Sequence, residues 1–436
     1  MSPQASAAEW KAGTARVKIT PKRPMWMSGY ASRDHAAEGT LIDLWAKALV
    51  LEDPRGERAA LVSLDLVGID RDFSNAVCAE LKSKHGLERR QIALATSHTH
   101  TGPVVGRTLM AMYFLDDANR QLVADYTSDL EQQIVQVVGE ALGKLAPAQL
   151  AWGNGFATFA VNRRTNSEPK VPELRTQGQL KGPVDHDVPV LSVRDGEGKV
   201  TAVVFGYACH STVLGTYQWS GDYPGYAQIE LEKLHPEATA LFFAGCGADQ
   251  NPLPRREVKY AEEYGRVLAQ AVEAVLTAPM QSLDGKLTTR YAEVPVALDT
   301  LPTRDELVKQ SQEKDKYVAQ RAKLLLQQVD AGRPLEQTYP YPVQVWRLGP
   351  QLQWVTMGGE VVVDFSIRLK RELGRDHTWV AGYTNDVMAY IPSLRVLKEG
   401  GYEGGGAMVY YGLPTIWGSD VEETIVKAVH QLAVGP

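Results

Sequence analysis

Two rhythms of hydrophobic and polar positions alternate along this chain. Short apolar runs bounded by polar turns predict strands over 15–19, 44–51, 59–66, 92–95, 150–152, 190–193, 200–207, 239–243 and 352–356. Elsewhere the apolar residues recur every three or four positions. Leu122, Tyr126, Leu130, Ile134, Val137, Val138 and Leu142 predict a helix over 121–144, ended by Pro147. Tyr260, Tyr264, Val267, Leu268, Val272 and Val275 predict a second, closed by Pro279. A third starts at Glu360 and runs through Val362, Phe365, Ile367 and Leu369. Residues 303–331 read as one charged helix: Thr303 and Glu306 have capping-box spacing, and Gly332 and Pro334 stop it. That helix carries no recognisable chemistry, so it is expected to be a solvated insertion at about 302–333, or a rim over a site. Strands and helices mix without a sustained βα repeat. The expected fold class is therefore mixed α/β (α+β): one domain over 1–436, with a mixed β-sheet core and flanking helices.

Composition narrows the function more than the fold. The chain has 436 residues, 44% of them hydrophobic, enough for a large core. A net charge of -6 gives no sign of nucleic-acid binding. Cys78, Cys209 and Cys246 are too few for a disulfide framework and fit no zinc-finger spacing. Cys209 and Cys246 lie in apolar surroundings and read as packing residues. No apolar run is long enough to span a bilayer. The first residues lack the basic region and apolar core of an intact signal peptide. Ala5-Ser6-Ala7-Ala8 is similar to the remnant of a cleavage site, which would make the protein secreted or periplasmic.

The chemistry gathers at strand ends. Ser97-His98-Thr99-His100-Thr101-Gly102-Pro103 follows the run 92–95, so two imidazoles one residue apart sit at its C-terminal end. In sheet enzymes ligands collect there. If the extended geometry persisted, His98 and His100 would share a face, which suits two metal ligands, or one ligand and one polar neighbour. A second strand runs into Cys209-His210-Ser211-Thr212. A third ends in Gly245-Cys246-Gly247, whose glycines allow close backbone approach to a ligand or simply a tight turn. Glu360 follows Gly358-Gly359 and reads as either a helix-capping acid or an anionic ligand. Asp65, an acid inside an apolar run, reads as a hydrogen-bonded structural carboxylate rather than a catalytic one.

Several of these segments, taken in order, resemble the neutral/alkaline non-lysosomal ceramidases, zinc-dependent amidases that cleave the N-acyl bond of ceramide. Ala95-Thr96-Ser97-His98-Thr99-His100-Thr101-Gly102-Pro103 is similar to that family's Thr-His-Thr-His-Ser-Gly-Pro. Val161-Asn162-Arg163-Arg164 is similar to its Asn-Arg-Ser-Pro, and Cys209-His210 fits its second metal histidine. Ser220-Gly221-Asp222-Tyr223-Pro224-Gly225-Tyr226-Ala227 resembles Ser-Asp-x-x-Gly-Tyr-Ala. Gly358-Gly359-Glu360 resembles Pro-Gly-Glu, and the spacing from Asn385 to Tyr390 and on to Tyr402-Glu403 is kept. The resemblance implies Zn2+ held by His98, His210, Glu360 and Tyr390. It implies that His100, Arg163 and Tyr402 contact the substrate carbonyl and stabilise the developing oxyanion. The implied partner is a lipid or small-molecule N-acyl amide. No nucleic acid and no transmembrane segment are expected, and peripheral membrane contact is compatible with a lipid substrate.

Two departures bear on the mechanism. The family's Gly-Asp-Val-Ser-Pro-Asn loop reads Gly247-Ala248-Asp249-Gln250-Asn251-Pro252 here, without serine, so no serine nucleophile is expected and the substrate can differ. Residues 403–436 are too few for the immunoglobulin-like C-terminal domain of longer ceramidases, so the catalytic part alone is expected. Two other readings use the same residues. An amidohydrolase-type enzyme would draw on His98, His100, His210, His235 and Asp386, but the βα regularity of an eight-fold barrel is missing. A catalytically silent binding module on the same fold is the non-enzymatic alternative.

Overall fold

The computed structural model describes residues 10–434; the cleavage-remnant reading at 5–8 lies outside them. Eight strands form the principal path of the larger sheet: β1 (Trp10–Lys18), β2 (Trp45–Glu52), β3 (Arg58–Leu64), β4 (Ile92–Thr96), β5 (Ala146–Phe156), β6 (Asp187–Arg194), β7 (Val200–Tyr207) and β8 (Thr239–Ala244). Their order is β8-β7-β6-β5-β1-β2-β3-β4. The β7/β8 and β3/β4 pairs are parallel and the rest antiparallel. The sheet curls until its two ends meet: Ser63 of β3 donates to the Phe242 carbonyl of β8 at 2.7 Å. Twist of one hand accumulates strand by strand, so a long sheet closes on itself in this way.

A second sheet has the order β9-β10-β11-β13, from β9 (Leu287–Ala297), β10 (Thr338–Leu348), β11 (Leu352–Met357) and β13 (Thr378–Ala381). Between β11 and β13, and after β13, the two-residue strands β12 (Glu360–Val361) and β14 (Tyr390–Ile391) pair with each other in parallel. Helices α1 (Arg71–His85), α2 (Asp117–Gly143), α3 (Asp222–Leu234) and α4 (Val258–Thr277) cover the outer face of the large sheet. Its inner face packs on the second sheet: Leu49, Leu61, Leu191 and Phe243 meet Trp346, Trp354 and Trp379, with the last two stacked at 4.1 Å. The result is four layers, helix, sheet, sheet, helix, the last formed by α7 (Val363–Leu373) and α8 (Val421–Val434).

The mixed α/β class read from the pattern is the observed one. Two stacked sheets rather than one account for the central strands. Ala46, Ala48 and Val50 face the helices while Leu49 and Leu51 face the second sheet. A strand buried on both faces shows a continuous apolar run whichever layer covers it, so the pattern does not count the sheets. Three local expectations are corrected. The region 303–331 holds two helices, α5 (Arg304–Gln310) and α6 (Lys316–Asp330), although the Thr303/Glu306 capping box is present. The helix ahead of Pro147 already ends at Gly143, and Pro147 sits in β5, opposite Lys11. The helix after Glu360 starts only at Val363. Helices α1 and α3 had no periodicity clear enough to be predicted.

Candidate metal centre and substrate site

The histidines arrive from strands that end at the meeting edge of the curled sheet. After β4, Ser97 donates its N–H to Leu64, and His98 then turns into a left-handed conformation (φ 58°). The extended geometry therefore stops before His98, yet its ring and that of His100 converge, with Nε2 atoms 3.1 Å apart. After β7, His210 is held by its N–H on the Gln250 carbonyl. The two histidine segments are cross-linked, because Ser211 Oγ donates to the Ser97 carbonyl at 2.6 Å and the His100 N–H reaches the Ser211 carbonyl. Ligand atoms of His98, His100 and His210 lie within 4.8 Å of one another.

The carboxylate and phenols come from the second sheet. Glu360 on β12 lies directly opposite Tyr390 on β14. It is buried rather than capping α7, whose N-cap is Val362. Glu360 Oε2 is 3.1 Å from His98 Nε2 and 3.0 Å from His210 Nε2. The Tyr411 hydroxyl donates to Glu360 Oε1, and the Tyr390 hydroxyl is 3.2 Å from His210 Nε2. Tyr383 lays its ring against His98 at 4.5 Å.

Hydrogen bonding settles which way the imidazoles point their lone pairs. His98 Nδ1 is 2.6 Å from the Val67 carbonyl and His210 Nδ1 2.8 Å from the Gly247 carbonyl. A carbonyl only accepts, so each Nδ1 carries a proton and each ring turns its Nε2 inward. Burial, followed by repulsion from Arg163, brings His210 down to about 4. Burial and the neighbouring His98 and His210 push His100 well below the ordinary histidine range. Burial alone would raise Glu360, but His98 and His210 outweigh it and hold the carboxyl well below its usual range. The Glu360 carboxylate thus faces the inward Nε2 atoms of both rings, and its Oε2 has no hydrogen-bond partner among the described residues. Such a set of converging donors fits a cation.

Above this floor stands Arg163, on the turn after the strand Ala160–Asn162. Its Nε donates to Glu403 at 2.7 Å and its Nη2 to the Tyr390 hydroxyl at 3.1 Å. Burial would lower its pKa, but Tyr390 and Glu403 more than offset that and keep it charged. Tyr402 meets Tyr390 edge-on at 5.2 Å and is 44% exposed, at the rim. All seven site residues named from the sequence are therefore gathered in one place. Four aromatic or charged neighbours were not named: Tyr411, Tyr383, Tyr30 (4.8 Å from His100) and Arg33, which donates to the His100 carbonyl at 2.7 Å. Nothing in the local pattern of Tyr410-Tyr411-Gly412 signals a bond to Glu360; only the fold does.

Other expectations are sorted by position. His235 ends α3 and pairs with Glu273 at 2.8 Å. Asp386 accepts the Tyr339 hydroxyl. Neither joins the histidine cluster, so the amidohydrolase ligand set is not assembled. A Cβ on Gly245 would strike Ala208, and one on Gly247 would come within 2.5 Å of the Cys209 nitrogen; these glycines serve a tight backbone crossing, not a ligand. Asp65 accepts the Trp45 N–H as a buried structural carboxylate, pushed up to about 6 by burial. Cys209 and Cys246 are buried in the core.

Comparison with known proteins places these observations. The sequence profile described as neutral/alkaline non-lysosomal ceramidase, N-terminal, matches residues 10–288. The neutral ceramidase of Pseudomonas aeruginosa is 25% identical over an alignment covering 94% of this chain and 70% of that protein. The neutral ceramidase of Drosophila melanogaster is 25% identical over 52% of this chain, and the match spans about a third of that relative (32%). The solved neutral ceramidase structure from Pseudomonas aeruginosa superimposes with a TM-score of 0.76 at 22% identity, over 98% of this chain and 74% of that one.

Proposed function

The chain belongs to the neutral/alkaline non-lysosomal ceramidase family, and from that premise we propose that it is a zinc-dependent amidase cleaving an N-acyl amide, ceramide or a smaller relative. The observation that carries this reading is the partnerless Oε2 of Glu360, 3.0–3.1 Å from two inward-facing imidazole nitrogens. His98, His210, Glu360 and Tyr390 are the residues that would hold the ion. Imidazole nitrogen and carboxylate oxygen are ordinary zinc donors. The Val67 and Gly247 carbonyls fix the two ring tautomers, and Tyr411 fixes the carboxylate, as outer partners of metal ligands commonly do. His100 is assigned to the substrate instead. Its Nδ1 has no partner among the described residues to set a tautomer, and at 9% exposure it is the most open of the three histidines, against 1% for His98 and His210. When bound, zinc supplies a Lewis acid that brings the pKa of a water toward ~7.

The chain's own residues then orient the amide. Arg163 is locked by Glu403 and aimed at the Tyr390 hydroxyl, so its charge is fixed before substrate arrives. Together with His100 and Tyr402 it presents donors to the carbonyl oxygen as negative charge develops there, the moment at which such donors act. Phe114 and Tyr402, 46% and 44% exposed, put aromatic surface at the rim, which suits an amphipathic acyl substrate or contact with a lipid surface. The two sheets act as one catalytic unit, since neither contributes a complete ligand set. The loop 247–252 supplies backbone, not a nucleophile: the Gly247 and Gln250 carbonyls hold His210, and Gln250 Nε2 donates to the Pro183 carbonyl.

The test is a screen of the purified protein against N-acyl amides of graded acyl length, with zinc measured on the same sample. Turnover with about one zinc per chain is expected; zinc-free protein with full turnover would refute the assignment. Mass spectrometry of protein trapped during turnover should show no acyl adduct on residues 247–252.

A further inference from the structure

Of the arginines around the mouth of the site, three are held by carboxylates. Arg163 and Arg164 pair with Glu403 at 2.7 Å, and Arg255 pairs with Glu168 at 2.7 Å. Two arginines by Tyr30 make no ion pair among the described residues: Arg33, which is buried and gives its N–H groups to the Ser28, His100 and Thr216 carbonyls, and Arg256, which is exposed. The nearby buried acid, Asp222, directs its carboxylate oxygens to the N–H groups of Val213, Leu214 and Tyr223. A lone exposed arginine is ordinary, but this one is held in place. Its backbone is left-handed at φ 86°, a conformation that costs a side-chain-bearing residue free energy and clusters at functional sites. The Arg256 N–H is anchored on the Val213 carbonyl at 2.7 Å, three residues past His210. Its guanidinium lies 5.0 Å from the Tyr30 ring centroid, and Tyr30 in turn lies 4.8 Å from the His100 ring. Gly215 makes room for it, since a Cβ there would come within 2.8 Å of Arg256 Nη1.

From this placement we propose that Arg256 recognises a carboxylate on the amine half of the substrate, so that the preferred substrates are N-acyl amides of the N-acyl amino acid type rather than neutral amides. This rests on the amidase reading given above and names its substrate class. The guanidinium is one aromatic ring away from His100, which faces the scissile carbonyl, so it sits beside the scissile group and not at the far end of an acyl chain. Its planar fork matches a carboxylate with two parallel hydrogen bonds. The Tyr30 ring, 5.0 Å from the guanidinium carbon, limits the rotamer freedom lost on binding.

The experiment compares N-lauroylglycine with its methyl ester, which differ in one charge. For the wild type, kcat/KM for the acid should exceed that for the ester. In Arg256→Gln the acid-to-ester ratio should fall by about 10- to 100-fold, the range expected for a lost hydrogen bond to a charged group. Gly215→Ala, which crowds the guanidinium without removing its charge, should lower the same ratio by less. Calorimetric binding of the pair reads the proposal even if neither compound turns over: tighter binding of the acid that depends on Arg256 supports it. Equal wild-type constants for acid and ester, or a ratio unmoved in Arg256→Gln, overturn it. Failure of every N-acyl amide to turn over would instead count against the amidase reading.

Discussion

The two sheets contribute to the site in different ways. The large sheet delivers histidines from strand ends, each ring fixed by a backbone carbonyl, Val67 for His98 and Gly247 for His210. The second sheet delivers acid and phenols through β12 and β14, two residues each, fixed by side chains: Tyr411 on Glu360, Arg163 on Tyr390. Side chains held by backbone depend on the fold alone, whereas those held by other side chains depend on further residues that substitution can remove. Either half should fail when a metal-facing residue is removed, but only the second-sheet half can also be weakened in steps, through the side chains that support it.

The sharpest way to break this comparison is to remove one ligand from each half. His98→Ala and His210→Ala should lose zinc by elemental analysis and drop to background turnover, and Glu360→Gln should do the same. If Glu360→Gln kept full zinc, the second sheet would position substrate only. Next in size, Arg163→Ala and Tyr402→Phe should keep zinc and fold but lose about 10²–10³ in kcat, the usual cost of an oxyanion donor, with KM changing less. Near-normal kcat would remove them from the site; lost zinc would move them into the metal's own shell. Tyr411→Phe should weaken zinc affinity by about 10- to 100-fold, as loss of an outer partner does; competition with a chelator measures it. The smallest effect belongs to the rim. The Tyr317 hydroxyl on α6 donates to the Ala31 carbonyl at 2.6 Å, and its ring packs on Tyr410 and Phe114. Tyr317→Phe should cost about 1 kcal/mol of local stability, the scale of one hydrogen bond, seen as a few-fold rise in KM with kcat kept.

The same contrast explains what could be read in advance. An apolar run entering His98 or His210 is visible because a buried strand has a sequence signature and a histidine at its end breaks it. Glu360 and Tyr390 sit in two-residue strands too short to carry any period; pattern left Glu360 open between a capping acid and an anionic ligand, and only resemblance to a family chose the ligand and named Tyr390. Tyr411 and Tyr383 carried no signal, since a tyrosine beside glycine is usually a packing residue and only the meeting of distant segments gives it a partner. The curl of the large sheet escaped for a similar reason: the bond from Ser63 to Phe242 joins residues 179 apart in sequence. The unforeseen break of the 303–331 helix lies at 311–315, where Ser, Gln, Glu, Lys and Asp leave no apolar face to bury.

The central claim is that one zinc ion is shared by both sheets. A crystal of the zinc-loaded protein, with anomalous diffraction collected on both sides of the zinc edge, tests it most directly. One peak is predicted, in bonding contact with His98 Nε2, His210 Nε2, Glu360 and Tyr390, with His100 outside its shell. A peak held by His98, His100 and His210 without Glu360, or no peak between the two sheets, would contradict it.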